Sequence, residues 1–321
     1  MRKYYISSLI IFVLQTGCHQ ANEYTINLEA TSESEITGEN IISTSLYERD
    51  IAITSDGDEI IFTRGDYKQR RRCLISVKKQ QNGEWAQAEV LNISGVYHDI
   101  EPFFSNNGNR LFFASNRPIY GDSSRNDYNI WFSDRAGEGW SEPVPLDSII
   151  NSKGDEFYPS LGNKGNLYFT ATRNNGIGFE DIFISEYVDG SYKSPEPLPV
   201  EINSSFYEFN AFISPDEDYI IFSSYGRPEE PEGIDLYFGR KDASGKWEKS
   251  HRLSEKINSP GLDFCPFVDA GEGNFYFTSD RSSAENKRIN SPEDIEKISN
   301  RIENGFGNIY RIAFKELHIR H

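Results

Sequence analysis

The sequence predicts an all-β repeat protein, and three observations carry that prediction. One phrase recurs five times: an acidic residue, a short apolar strand, a polar turn, then a second strand ending in Phe. Each copy continues into a third strand, and four of them into a Gly-led turn that feeds an aromatic residue. Throughout, runs rich in aromatic and β-branched residues are divided by Gly, Asp and Asn turns, the pattern of short strands.

The five copies run from Glu48 to Phe62, Asp99 to Phe113, Glu156 to Phe169, Glu208 to Phe222 and Asp263 to Phe277. Their turn markers, Gly57, Gly108, Gly165, Glu217 and Gly273, stand about 51 to 57 residues apart, close to the period of propeller blades. Third strands follow at Leu74–Val77, Asn129–Phe132, Asp181–Ile184, Asp235–Phe238 and Asn308–Ile312. The turns ending in Trp85, Trp140, Tyr192 and Trp247 then lead to fourth segments near Leu91, Leu146, Leu198 and Leu253. Four strands repeated radially make a β-propeller. The expected body is a single propeller over 35–316, with five blades.

The fifth copy has no fourth strand of its own. Asn40-Ile-Ile-Ser resembles Ile149-Ile-Asn-Ser and the matching segments at Ile202 and Ile257, which lead into later copies. Residues around Ile36 to Ser43 should therefore close the ring, which removes exposed sheet edges. Six blades is the alternative, if Glu23 to Glu29 helps build a degenerate one. A helical insertion is expected at about 291–304, where Ser291 is an N-cap, Pro292 suits the first turn, and Ile295, Ile298 and Ile302 share a face. That face either packs on the propeller or meets a partner; 317–321 is a tail.

The N-terminus reads as a secretory signal over 1–17: Arg2 and Lys3, then an apolar run from Tyr4 to Leu14 too short to span a bilayer. Cys18 follows Gly17 as a lipidated cysteine follows a small residue, although Gln15 stands where Leu is usual. The expectation is an exported chain, lipid-anchored in the cell envelope, with 18–34 a flexible tether. Lys and Arg number 33 against 50 Asp and Glu, a net charge of −17, or −19 without Arg2 and Lys3. That balance excludes nucleic acid, whose binding needs clustered cations, and leaves a lipid as the sole membrane contact. The remaining cysteines, Cys73 and Cys265, are too few for a disulfide scaffold.

The phrase acidic-x-x-Pro-x-Phe-Ser-x-x-Gly-x-x-Leu-x-Phe, followed by Ser-Asn-Arg117 or Ser-Asp-Arg281 and then Asp/Asn-Ile-aromatic, resembles the WD-like propeller repeat of TolB-related proteins. The likeness covers roughly 36–315. It implies an envelope location and binding of peptide or protein partners. The separate N-terminal domain of TolB itself has no room here.

The most regular constellation is the ring of carboxylates Glu48, Asp99, Glu156, Glu208 and Asp263, one per blade at the start of the first strand. Such a ring either forms an acidic channel mouth or repeats a structural hydrogen bond, and fivefold recurrence favours architecture. Arg117, Arg173 and Arg281 recur with it and are read in the same way. No carboxylate stands apart from the repeat near the channel. The expected function is thus a non-catalytic binding or scaffold module presenting a loop-rich face to a protein, peptide or glycan, as a monomer without cofactor or metal. The alternative is a carbohydrate-active hydrolase, which needs two facing carboxylates; Glu156 and Glu208 are its candidates. Binding residues favour loops on a rigid scaffold. The long connections between second and third strands supply Tyr120, Arg125 and Tyr225 as candidate contacts. The basic run Lys68 to Arg72 adds Arg70 and Arg71, which could pair with an acidic ligand or with Glu229 and Glu230.

Overall fold

A computed structural model describes residues 25–105, 107–228, 233–283 and 288–319. The chain forms five antiparallel four-stranded blades. The first strands, nearest the axis, are Tyr47–Ile53, Asp99–Phe104, Glu156–Leu161, Tyr207–Ile213 and Asp263–Asp269. The second strands are Glu59–Gly65, Arg110–Ser115, Leu167–Ala171, Tyr219–Tyr225 and Asn274–Ser279. The third are Arg72–Lys78, Asn129–Ala136, Asp181–Ser185, Ile234–Arg240 and Asn308–Ala313. Outer strands of two residues complete blades 1 to 4.

Blade 5 takes its outer strand from Glu35–Ile36, in register with Arg311 and Tyr310. The local logic of that closure is visible in one side chain in each of blades 2 to 5. Asn151, Asn203 and Asn258 each bind both backbone groups of the Ile or Leu that follows the start of a third strand: Ile130, Ile182 and Leu236. At the closure Ser43 takes the Asn position and does the same for Ile309.

Hydrophobic layers lie between blades. Phe62, Phe113, Phe169, Phe222 and Phe277, the repeated second-strand residues, have no solvent exposure. All connections between second and third strands emerge beside the starts of the first strands, on the loop face of the disc. The hairpin turns at Gly57, Gly108, Gly165, Glu217 and Gly273 form the opposite turn face.

Two expectations need correction. The segment 18–34 is not a free tether over its described part. Ile26 is buried with Ile53, Val77 and Trp85, and the carbonyls of Leu28, Glu29 and Thr31 accept from Asn274, Arg311 and the Ala313 amide. A small apolar anchor plus three hydrogen bonds to blade 5 outweighs the polar composition that suggested a linker. This stretch builds no sixth blade. The helix is shorter than expected, Pro292–Ser299, started by a capping box in which the Ser291 amide donates to Asp294. None of its residues is buried, and Ile295 is half-exposed.

Candidate functional site

Five acids start the five first strands, and all five are fully buried. They line no open channel. Each turns toward its own arginine: Glu48 to Arg64 at 2.8 Å, Asp99 to Arg117 at 2.5 Å, Glu156 to Arg173 at 3.2 Å, Glu208 to Arg227 at 3.0 Å and Asp263 to Arg281 at 2.9 Å. Backbone amides or hydroxyls of Thr44, Ser94, Ser152, Ser204 and Ser259 supply further donors. Each arginine also donates to an isoleucine carbonyl in the preceding connection and lies over the second-strand Phe. Buried charges demand such pairing. Arg64 and Arg227 belong to this set although they escaped the sequence pattern. Arg64 stands in the second strand directly opposite Glu48, two residues earlier than Arg117, Arg173 and Arg281 in their copies, and Arg227 stands one residue later. Burial pushes the Glu156 carboxyl up to about 7, against the pull of Ser152 and Arg173.

Two residues after each acid lies a second ring, and its members all differ: Asp50, Glu101, Tyr158, Asn210 and Cys265. All five have left-handed backbone, with φ from +47° to +60°, at a β-bulge in the first strand. Non-glycine residues adopt that region at a cost. Here the bulge turns each side chain toward the axis and its amide toward the preceding blade. The amides of Asp50, Glu101 and Asn210 donate to Thr278, Thr63 and Thr170. Blade 2 carries Ala114 at the corresponding place, and the Tyr158 amide donates instead to the Glu101 carboxylate at 2.7 Å.

Arg49 completes this centre. It donates to Asp50 at 2.8 Å, Glu101 at 2.8 Å and the Cys265 sulfur at 3.3 Å, with its guanidinium over Phe264. Asn210 donates to Glu101 at 3.2 Å and the Tyr158 hydroxyl to the Pro266 carbonyl. The network joins all five blades. Burial opposes the Arg49 charge, but Asp50 and Glu101 more than offset it and hold the group well above its usual range. Burial, with Asp50 adding to it, pushes Glu101 up to about 7 in spite of Arg49. Beneath lie Ile51, Phe103, Phe212 and Phe267 around a cavity of about 10 Å³, room for at most one water. The axis is plugged.

Asp50 and Glu101 are the carboxylates that stand apart from the repeat, which the sequence reading did not find. Aligning the copies on the ring acid and looking for the polar column that never repeats would have exposed them.

The remaining candidates scatter around the loop face. Tyr120 is exposed at its ring but donates to the Leu146 carbonyl at 2.6 Å. Arg125 is engaged by Asp127, Asn129 and the Ser152 carbonyl. Arg70 and Arg71 are exposed, on a loop braced by Asp66 and by His98 against the Arg70 carbonyl. Tyr225 is exposed and extends a row of rings: Phe179 stacks on Tyr207 at 4.9 Å, and Tyr207 meets Tyr225 at a tilt with centroids 5.9 Å apart. Glu229, Glu230 and Cys18 lie outside the described residues.

No family model matches the sequence, and no curated protein matches it. Among solved structures the chain is similar to a glycoside hydrolase, with 10% identity over 91% of each chain and a TM-score of 0.53. It is also similar to the protein BT0996, solved as an RGII complex, with 10% identity over 90% of each chain and a TM-score of 0.50. At such identities the likeness is one of fold: the chain is a β-propeller.

Proposed function

We propose that the chain is a binding propeller that takes a protein or peptide partner on its loop face. The observation that carries this reading is the distribution of exposed aromatic rings. Of the six large exposed aromatics among the described residues, Tyr67, Tyr97, Tyr120, Phe179 and Tyr225 stand on the loop face and Tyr187 alone on the turn face. Aromatic residues concentrate where protein partners bind, and Arg70 and Arg71 stand beside Tyr67. The signal-like N-terminus and the TolB-like repeat support an envelope location with Cys18 as the anchor.

The hydrolase alternative finds little support in Glu156 and Glu208. Each is fully buried and bound to its own arginine, so neither reaches a substrate without unfolding. A photo-reactive residue placed at Phe179, Tyr225 or, as control, Glu84 on the turn face tests the proposal in the native envelope. Adducts of one defined mass from the two loop-face positions, and none from Glu84, are expected. No adduct at either loop-face position, or the same adducts from all three, overturns the reading.

A further inference from the structure

Among the four blades whose third strand turns back through a hairpin, one departs from the repeat on the turn face. In blades 1, 2 and 4 the hairpin after the third strand pairs a cation with a tryptophan: Lys79 with Trp85, Arg135 with Trp140, Lys241 with Trp247. In each pair the cation lies over the indole, at 5.9, 4.1 and 4.8 Å from the ring centroid, and the indole packs toward the preceding blade. Blade 3 has Tyr187 opposite Tyr192 instead. The rings are tilted at 58° with centroids 5.0 Å apart, and Tyr187 is 44% exposed.

The smaller ring and the missing cation leave a groove of about 550 Å³ between blades 2 and 3, against about 380 Å³ between blades 1 and 2. Ligand sites commonly fall in a range of about 300–1,000 Å³. Across it from the tyrosines, Arg110 grips Asp134 through two bonds, 2.6 and 3.0 Å. The guanidinium lies 4.1 Å from the centroid of Phe132. Both charged side chains remain 42–50% exposed, so donor and acceptor sit side by side in the groove wall. Asn107 and Asn109 lie at its edge.

We infer that this groove is a binding subsite for a neutral saccharide. Three properties select that class. The exposed Tyr187 ring, with the partly buried Tyr192 beside it, favours a flat, C–H-rich partner. The Arg110–Asp134 pair offers donors and acceptors together, which suits adjacent hydroxyls that both accept and donate. The pair is internally balanced and Asp147 also lines the groove, so an anionic ligand finds no free counter-ion, while a purely apolar one desolvates the pair without replacing its water. This inference is independent of the loop-face reading, since it concerns another face and another class of ligand.

The test is calorimetric titration of the mature chain with neutral tetrasaccharides of glucose, mannose, galactose and xylose, and with tetragalacturonate. At least one neutral probe is expected to bind, and tetragalacturonate more weakly. Y187A should weaken binding about tenfold with its melting temperature unchanged, because the ring is half in water. D134N frees Arg110 from its partner carboxylate and should turn the preference toward tetragalacturonate. V96S, on the loop face, should bind as wild type does. Binding of tetragalacturonate alone by the unmodified chain, equal binding by Y187A, or no binding of any neutral probe overturns the inference. None of these outcomes bears on the cross-links expected at Phe179 and Tyr225.

Discussion

Two rings circle the same axis two residues apart, and they obey opposite rules. The outer one repeats an acid–arginine pair five times, each held chiefly within its own blade and its incoming connection, with Asn308 of blade 5 also reaching Glu48. The inner one repeats only a backbone shape, and fills it with Asp50, Glu101, Tyr158, Asn210 and Cys265. A repeated pair can be lost from one blade with local damage. A ring of unlike residues works only as a set, because each fills a valence another leaves open, as Glu101 does for the Tyr158 amide facing Ala114.

The comparison is broken most directly at Arg49. Replacing it with Met leaves Asp50 and Glu101 buried without their cation, and such a loss costs about 3–5 kcal/mol. Urea unfolding measures it; a cost below about 1 kcal/mol would mean the blades do not depend on this centre. In the outer ring, E208Q should cost about 1.5–3 kcal/mol, the range of a hydrogen bond to a charged group. E156Q should cost less, because burial already pushes Glu156 toward its neutral form. Equal melting temperatures for the two variants would remove that distinction.

The inner ring also predicts a pH dependence. Glu101 holds its proton more tightly in the folded chain, up to about 7, than in the unfolded one. The folded state therefore binds more protons between these limits, and stability falls as pH rises from about 4.5 to 7. Denaturation at a series of pH values should show that fall, and E101Q should flatten it. A fall of unchanged slope in E101Q assigns it to another group, with Glu156 next in line. The smallest effect belongs to the surface: Y225S should leave stability within about 0.5 kcal/mol while abolishing the cross-link from a probe at position 179, and a large loss of stability would make Tyr225 a packing residue.

The architecture was legible because recurrence is visible without knowing any contact. Five copies of one phrase gave the blades, and the likeness of Asn40-Ile-Ile-Ser to Ile149-Ile-Asn-Ser gave the closing strand. Arg64 and Arg227 were hidden because one sits within the second strand and the other one residue further into the connection, while both guanidinium groups reach the same place beside the acid. The axial centre was hidden for the opposite reason. Its members share a left-handed backbone that no glycine marks, and their side chains have nothing in common. The seating of residues 26–31 rests on a single buried isoleucine in a polar run, too faint a signal for periodicity. The groove between blades 2 and 3 was half visible, since Tyr192 already broke the row of tryptophans.

The seated N-terminal segment has a mechanical consequence. Its contacts lie beside Asp56, Gly57 and Glu272, on the turn face. If Cys18 carries a lipid, the mooring line runs only from there to Ile26, and eight residues extend to about 28 Å at most. The disc would then ride close over the bilayer, with its hairpin turns toward the lipid and its aromatic face turned outward. A partner docking there would arrive from the aqueous side and be held at a nearly constant height, a short leash converting a freely tumbling disc into an oriented one.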